Sequence, residues 1–199
     1  MATYRLKTPL GESDVRQLQA GDSVLLDGII FGIRDATLIH IFDYQERPPV
    51  DLSGGVLLHT APNVKKVGEH RYEPVCVGTT TSTRMDRFTG GLLREYGVRA
   101  IIGKGGLYEE STRLLQQLGG VYLAIVGGAA AVETVQIEKI EAIYYEELMP
   151  ECLWQFRVKE FGPLTVAIDS HGHNLYFDVK ARARERLPEV QRLLGITGA

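Results

Sequence analysis

The residues best suited to chemistry in this sequence lie in two polar segments, each of which directly follows an apolar run. The first reads Gly-Thr-Thr-Thr-Ser-Thr-Arg-Met-Asp at 78–86, and the second reads Gly-Lys-Gly-Gly at 103–106. Hydroxyls and backbone N–H groups at the start of a helix favour an anion, and Arg84 and Lys104 add full positive charge. The two segments therefore predict a binding site for a small carboxylate or phosphate.

A third junction between a predicted strand and a predicted helix carries Arg34, followed by Asp35, a candidate N-cap. In an open α/β sheet, ligands bind beyond the carboxyl ends of the strands, so Arg34 is a candidate for the same site as Arg84. Asp86 either orients Arg84 or favours the first turn of a helix, and the sequence leaves both roles open.

The glycines on either side of Lys104 have a structural explanation. We expect Gly103 and Gly105 to permit backbone geometry, or a close approach, that a β-carbon would block. Two histidines, His171 and His173, invite a metal interpretation, but a polar hairpin turn explains them better. The basic residues between 180 and 186 alternate with Ala and Glu and are typical of a solvated helix face.

Composition excludes several classes of function. The chain has 199 residues, a net charge of −3 and two cysteines. No global basic field is available for nucleic acid. The longest apolar stretch, 121–132, is shorter than the roughly 20 residues that a membrane helix needs, and the N-terminus lacks a signal-peptide pattern, so we expect a cytoplasmic protein. Cys76 and Cys152 are expected to be buried, inert thiols, and two isolated cysteines cannot hold an iron–sulfur cluster.

The elements that position these residues follow from the hydrophobic periodicity. Residues 72 to 145 predict a β-α-β-α-β unit with parallel strands. Its second helix begins near Leu107 and is closed by Gly119; its last strand, 121–126, precedes a helix that starts at Ala129. Before this unit, the pattern predicts strands at 4–6, 23–32 and 55–59, and helices that begin at Ser13 and Asp35.

The last quarter of the chain has a different pattern. Strands are predicted at 154–158 and 164–168, with a turn at 161–163 between them and a hairpin-type turn at 169–172. The charged tail after Asp178 predicts a helix whose second piece starts at Pro188 and ends at Gly195. The sequence contains no convincing linker, so we expect one mixed α/β domain over residues 1–199.

The motif block resembles a known family. Segments 78–86 and 102–106 together resemble the β subunit, or C-terminal domain, of class I fumarases, a family that includes the β subunits of L-tartrate dehydratases. The resemblance extends over almost the whole chain. It is supported by Ile-Arg-Asp-Ala at 33–36, Leu-Trp at 153–154, Phe-Gly-Pro-Leu at 161–164 and Ile-Asp-Ser-His-Gly at 168–172.

The resemblance implies a swivelling β/β/α domain and an iron–sulfur hydro-lyase. The four-iron four-sulfur cluster would sit on a separate α subunit, with the active site between the subunits, β–β contacts in a hetero-oligomer, and no metal on this chain. By position, Arg34, Arg84 and Lys104 would bind the carboxylates of a dicarboxylate substrate. Thr80 would be the proposed proton-transfer residue, supported by Asp86, Gly103 and Gly105.

The sequence departs from the family pattern at some positions. Thr79 replaces a usual proline, Thr83 replaces a small residue, and Leu38 stands where many members have a histidine. These changes leave the substrate open: the first hypothesis is hydration of fumarate to L-malate, the second is dehydration of L-tartrate to oxaloacetate, and a third is a non-catalytic binding protein. A nucleotide-binding loop is disfavoured because Gly105 follows the lysine where that motif requires Ser or Thr.

Overall fold

The computed structural model describes residues 1–126, 128 and 131–196. The strands are β1 (Thr3–Lys7), β2 (Ser23–Ile33), β3 (Val56–His59), β4 (Asn63–Gly68), β5 (Arg71–Cys76), β6 (Ala100–Gly103), β7 (Val121–Ala124), β8 (Ile137–Tyr144) and β9 (Leu153–Ile168). The α-helices are α1 (Glu12–Arg16), α2 (Asp35–Phe42), α3 (Thr89–Arg94), α4 (Glu109–Leu118) and α5 (Leu175–Leu193). Short 3-10 helices cover Ser82–Phe88, Glu133–Gln136 and Glu146–Leu148.

Seven strands form one sheet in the order β1-β2-β3-β6-β7-β9-β8. Strands β2, β3, β6 and β7 are parallel neighbours, and β9 runs antiparallel to both β7 and β2. Because β9 pairs with both, the five strands β2, β3, β6, β7 and β9 close into a barrel-like sheet. Strands β4 and β5 form a separate two-stranded sheet. The architecture confirms the predicted mixed α/β class.

Both faces of the parallel strands are buried, which is why their sequences are almost continuously apolar. Val56 and Leu58 pack in one core with the inward residues of the neighbouring strands, and Leu57 packs in the other. The second core is covered by apolar residues of α2, α3 and α4, among them Leu38, Leu92 and Leu115. The helices thereby hold the loops at the carboxyl ends of the strands in place.

Two predicted elements of the central unit differ from the structure. The strand before segment 78–86 is β5, which pairs antiparallel with β4 instead of joining the parallel sheet. Its residues alternate between exposed and half-buried, so it lacks the continuous apolar surface that a central strand needs. The predicted strand 121–126 ends at Ala124. The predicted start of the next helix, at Ala129, lies outside the described residues, and farther along the chain the structure has a short 3-10 helix at Glu133–Gln136.

The predicted turn at 161–163 is wrong, because β9 is one strand of 16 residues. Gly162 has φ +138°, and a β-carbon there would lie 2.6 Å from the carbonyl oxygen of Val24. The pairing of β2 with β9 shifts register beside this point, between Val24 and Leu26. A bulge therefore absorbs the glycine and proline without ending the strand.

Three helix boundaries also differ. Gly11, not Ser13, is the N-cap of α1, and the Asp14 carboxylate accepts its N–H at 2.7 Å. Arg34 is the N-cap of α2, so Asp35 is the first helical residue. Helix α5 is continuous through Pro188. No residue of α5 is buried, so water can satisfy the carbonyl that the proline leaves without a donor.

Two further expectations concern the burial of the cysteine thiols and the absence of a membrane-spanning helix. Cys152 is buried, and burial raises the pKa of its thiol to about 12. Cys76 is only half-buried, so the prediction of two buried thiols is correct for Cys152 alone. Among the described residues, no helix combines the length and apolar character required to cross a bilayer.

Candidate active site at the carboxyl ends of β2, β3 and β6

The predicted site residues lie around one edge of the parallel sheet. Arg34 directly follows β2, His59 ends β3, and Lys104 directly follows β6. These three strands are parallel neighbours, so their carboxyl ends meet at the same edge. The structure therefore brings Arg34 and Lys104 to the edge where an α/β sheet binds ligands.

Segment 78–86 reaches this edge through backbone contacts and not through membership of the parallel sheet. The N–H of Thr80 donates to the carbonyl oxygen of His59 at 2.9 Å. Thr81 forms a parallel β-bridge with Lys104, and the N–H of Ser82 donates to the carbonyl oxygen of Lys104 at 2.8 Å. The segment thus lies between the ends of β3 and β6, with Thr80 and Lys104 held by adjacent hydrogen bonds.

The two candidate arginines converge on one carboxylate oxygen. Arg34 Nε lies 3.1 Å from Asp35 Oδ2, and Arg84 Nη2 lies 3.4 Å from the same oxygen. Arg84 remains 56% exposed, whereas the side chains of Arg34 and Asp35 are each 22% exposed. Two guanidinium groups converge on one oxygen, and because one of them is largely open to solvent, an anionic ligand can approach it.

Glu151 is a residue of this edge that sequence reasoning missed. One of its carboxylate oxygens lies 3.3 Å from Arg34 Nε, and the other accepts the N–H of Ala36 at 2.9 Å. Its backbone carbonyl accepts the hydroxyl of Thr37 at 2.5 Å. Glu151 therefore holds both the Arg34 side chain and the first turn of α2. It lies 117 residues from Arg34 in sequence, so no local spacing signals this pairing.

The glycines beside Lys104 have the steric role that the sequence predicts. A β-carbon at Gly103 would lie 2.0 Å from Ser82 Oγ, a distance that no packing tolerates. Gly105 has φ +83°, and a β-carbon there would lie 3.0 Å from the methyl group of Thr81. Both glycines let segment 78–86 approach the end of β6. Among the described residues, no salt bridge involves the Lys104 ammonium group.

Asp86 takes neither of the two roles that the sequence left open, because it lies past the first turn of its own 3-10 helix and its carboxylate contacts the start of α4. Its carboxylate accepts the N–H of Tyr108, the N-cap residue of α4, at 2.8 Å. Its carbonyl oxygen accepts the hydroxyl of Ser111 at 3.3 Å. The carboxylate next to Arg84 is that of Asp35. Asp86 therefore links the 3-10 helix that contains Arg84 to the start of α4.

A buried polar cluster lies directly beneath segment 78–86. Tyr122 donates its hydroxyl to Ser82 Oγ at 2.9 Å, and His59 Nδ1 lies 2.9 Å from the same oxygen. All three side chains are at most 1% exposed. Burial lowers the pKa of His59 to about 4, against the opposing effect of the Asp35 carboxylate. Burial also raises the pKa of Tyr122 well above its usual value.

The histidines of the turn after β9 serve that turn. His173 Nδ1 lies 2.9 Å from Asp169 Oδ2, and His171 Nε2 lies 3.0 Å from the carbonyl oxygen of Arg16. Within 1–126, 128 and 131–196, no group of three or more His, Cys, Asp and Glu side chains could hold a metal ion. These contacts fit the interpretation of His171 and His173 as turn residues.

Comparison with known proteins identifies the family. The model of the fumarase C-terminus family matches residues 2–179. The β subunit of L(+)-tartrate dehydratase from Escherichia coli strain K12 is 37% identical over 182 residues, which is 91% of this chain and 90% of that subunit. A Methanocaldococcus jannaschii protein named "putative L(+)-tartrate dehydratase subunit beta" is 37% identical over 186 residues, 91% of this chain and 95% of its own length.

A relative of a different length is the Geobacillus stearothermophilus protein named "putative fumarate hydratase class I". It is 36% identical over 185 residues, which is 92% of this chain and 35% of that protein. The chain therefore spans about a third of this relative and nearly all of the β subunits. These matches confirm the resemblance that the motifs indicate, and the chain belongs to the fumarase C-terminal family of hydro-lyase subunits.

Proposed function

We propose that this chain is the β subunit, or the corresponding domain, of a hydro-lyase that catalyses the reversible hydration of fumarate to L-malate. The observation that carries the proposal is the convergence of Arg34 and Arg84 on one carboxylate oxygen, at 3.1 and 3.4 Å. Asp35 demonstrates by its own contacts that the two guanidinium groups can bind a carboxylate together. A substrate carboxylate would use the guanidinium N–H groups that Asp35 and Glu151 leave free.

The proposed substrate is a four-carbon dicarboxylate, and the site has enough positive charge for it. Arg34 and Arg84 would hold one carboxylate, and Lys104 would supply a compact charge from the neighbouring strand end. Each hydrogen bond to a charged group contributes about 1.5–3 kcal/mol. This range is sufficient to bind and orient a dianion whose hydration shell has been removed.

The same cations would assist the chemical step. Removing a proton from the carbon next to a carboxylate places additional negative charge on that carboxylate in the transition state, and fixed cationic donors stabilise this charge. Thr80 is the proposed proton-transfer residue, and its backbone is held beside Lys104. A threonine hydroxyl is a weak base, so we expect a group of the partner subunit to activate it.

We place the iron–sulfur cluster of the proposed enzyme on an α subunit. This chain has two cysteines, one buried with a raised thiol pKa and one in the two-stranded β4–β5 sheet, so its own residues do not fit a cluster held by several thiolates. When bound to the α subunit, the cluster would supply a Lewis-acidic iron for the leaving hydroxyl. We further propose that residues 1–199 act as one swivelling domain, with β–β contacts in the hetero-oligomer.

The test is anaerobic co-expression of this chain with an α subunit of the same hydro-lyase class, followed by a fumarate hydration assay. Arg84→Ala is compared with Arg87→Ala, because both side chains are similarly exposed, at 56% and 59%, and each pairs with an aspartate. We expect kcat/KM to fall by about 10²–10⁴ for Arg84→Ala, corresponding to one or two lost charged hydrogen bonds, and to stay within about threefold for Arg87→Ala. Equal effects of the two substitutions would contradict the assignment of Arg84.

L-tartrate dehydration to oxaloacetate is the second candidate. It is favoured by the relatives named as tartrate dehydratase β subunits, of which the chain covers 90% or more. Tartrate is also a four-carbon dicarboxylate, so the same arginines and lysine would bind it. Turnover of fumarate and L-tartrate by one preparation separates the two candidates, and a stable complex inactive on both would indicate a non-catalytic binding protein.

A further inference from the structure

The buried cluster of His59, Ser82 and Tyr122 has a defined pattern of donors and acceptors. The raised pKa of Tyr122 keeps its hydroxyl protonated, and that hydroxyl donates to Ser82 Oγ. The proton of Ser82 is then free to be donated to His59 Nδ1 at 2.9 Å. With Nδ1 as acceptor and a neutral ring, the proton of His59 lies on Nε2. Nε2 is buried and has no hydrogen-bond partner among the described residues.

Two of these side chains, those of His59 and Ser82, belong to residues whose backbone holds a candidate site residue. The carbonyl oxygen of His59 accepts the N–H of Thr80, and the N–H of Ser82 donates to the carbonyl oxygen of Lys104. The side-chain hydrogen bond between His59 and Ser82 therefore connects the anchor of Thr80 to the anchor of Lys104. Tyr122 donates to Ser82 and thereby links this pair to β7, a third strand of the sheet.

The packing around Ser82 leaves little freedom for a different arrangement. Its hydroxyl lies 2.0 Å from where a β-carbon of Gly103 would be, and the Tyr122 hydroxyl lies 3.0 Å from the same point. Ser82 itself is fully buried. A hydroxyl in such a small space is oriented by its two partners, because rotation would leave a buried polar group unpaired.

We propose that His59, Ser82 and Tyr122 are positioning residues that fix the backbone of Thr80 and Lys104 relative to each other in the active site. The cluster does not touch the substrate in this assignment. It acts by holding two neighbouring strand ends and segment 78–86 in a single arrangement. Displacement of a reacting group by about 1 Å is enough to cost roughly 100-fold in rate. The inference rests on the proposed function for its catalytic consequence, but its structural consequence can be measured independently.

The kinetic test uses the assembled enzyme and two variants that each remove one hydroxyl, Ser82→Ala and Tyr122→Phe. We expect kcat to fall by about 10- to 100-fold, with a smaller rise in KM, because Arg34 and Arg84 still bind one carboxylate while Thr80 and Lys104 are displaced. Ser170→Ala is the matched control. Ser170 lies in the turn after β9, is an equally buried serine, and donates to the carbonyl oxygen of Val15 in α1. An unchanged kcat in both variants, or an equal fall in the control, would overturn the proposal.

A pair of histidine substitutions separates the two ring nitrogens. Asparagine can place an acceptor near the position of Nδ1, whereas glutamine places its polar group near the position of Nε2. The positioning role predicts that His59→Asn retains most of kcat and that His59→Gln loses about as much as Ser82→Ala. If His59→Gln instead retained more of kcat than His59→Asn, Nε2 would be the nitrogen that matters for catalysis. This outcome would overturn the assignment of His59.

The structural test does not depend on activity. Amide hydrogen exchange at Thr80 and Ser82 should become at least about tenfold faster in Tyr122→Phe, because both amides are donors within the held arrangement. Nitrogen NMR of the wild type should show the proton of His59 on Nε2. Exchange rates identical to wild type, or a proton on Nδ1, would overturn the inference. A wild-type complex inactive on fumarate and on tartrate would instead contradict the proposed function.

Discussion

Two polar clusters follow strands in this molecule, and they use their charges in opposite ways. In the turn after β9, the buried Asp169 carboxylate accepts the N–H groups of Ala20, His171 and His173 and pairs with the His173 ring at 2.9 Å. Burial alone would raise the pKa of Asp169, but these hydrogen bonds hold it below its usual value. The Asp169 carboxylate is therefore satisfied by the turn itself and by the N–H of Ala20.

At the carboxyl ends of β2, β3 and β6, three cationic residues, Arg34, Arg84 and Lys104, stand against the two carboxylates of Asp35 and Glu151. Arg34 and Arg84 share an oxygen of Asp35, Glu151 contacts Arg34 and the start of α2, and Arg84 is more than half exposed. Bringing like charges together lowers stability unless a ligand or a specific partner compensates. The difference between the clusters teaches that convergent cations with a solvent-exposed member, and not polarity as such, distinguish a binding site from a structural turn.

The largest expected effect that tests this comparison is on catalysis at the strand edge. Arg34→Ala removes a guanidinium shared with Asp35 and leaves Glu151 without its cation. We expect kcat/KM to fall by about 10²–10⁴, with partial recovery in Arg34→Lys, which keeps the charge but loses the planar fork. Steady-state kinetics of the co-expressed complex would measure this. If Arg34→Ala retained wild-type kinetics, the cluster at the strand ends would contribute no more to catalysis than the turn after β9.

The next effect is on stability against pH, through the buried His59 at the same edge. Its pKa is about 4 in the folded chain, below the usual 6.5, because burial disfavours the charged ring. The unfolded chain therefore binds more protons between these values, and stability present above pH 6.5 is lost as the pH falls towards 4. The loss is on the order of 3 kcal/mol, with Asp35 opposing it.

Urea unfolding at several pH values would measure this loss, with His59→Asn as the comparison. The variant lacks the titrating ring, so its unfolding free energy should depend less on pH between 6.5 and 4. Parallel pH profiles for wild type and variant would show that other groups cause the acid sensitivity. Tyr122 does not complicate the comparison, since its raised pKa keeps it neutral throughout this range.

The turn after β9 should show the opposite pattern, an effect on stability without one on catalysis. Asp169→Asn removes the charge that three backbone N–H groups and a histidine ring surround. We expect a loss of about 1–3 kcal/mol in the free energy of unfolding, with kcat/KM of the folded enzyme unchanged. Asp178→Asn, on exposed α5, is the control. A selective fall in kcat would move this turn into the active site.

The sequence predicts the apolar strands of the main sheet well because they depend on local pattern, but it places β5 among the parallel strands, where the structure does not. The apolar runs that form β2, β3, β6 and β7, and the glycines that close their turns, are continuous signals in the chain. The family resemblance then selects Arg34, Arg84 and Lys104 from among many charged residues. The structure brings Arg34 and Arg84 to the same carboxylate, which supports a shared site.

The features that the sequence does not predict depend on contacts between distant residues. Glu151 reaches Arg34 only because β9 and the loop before it close the sheet against β2. Likewise, nothing local indicates that β9 continues through Gly162, since its bulge is matched by β2 on the opposite strand. Segment 78–86 follows a predicted strand of the main sheet. In the structure, backbone hydrogen bonds to His59 and Lys104, and not a preceding strand of that sheet, hold it at the site.

The smallest predicted effect concerns Asp86, which borders the site but has the satisfied character of the other cluster. Its carboxylate accepts the N–H of Tyr108 at the start of α4, so Asp86→Ala should cost about 1 kcal/mol in the free energy of unfolding. Asp86→Asn keeps an oxygen acceptor and should retain most of that stability.

The asparagine variant also removes the negative charge near Arg84. If that charge orients Arg84, kcat/KM will fall in Asp86→Asn despite its stability; if Asp35 alone faces Arg84, as the geometry indicates, kcat/KM will stay within about threefold of wild type. Kinetics and urea unfolding on the same two variants therefore decide to which of the two clusters Asp86 belongs.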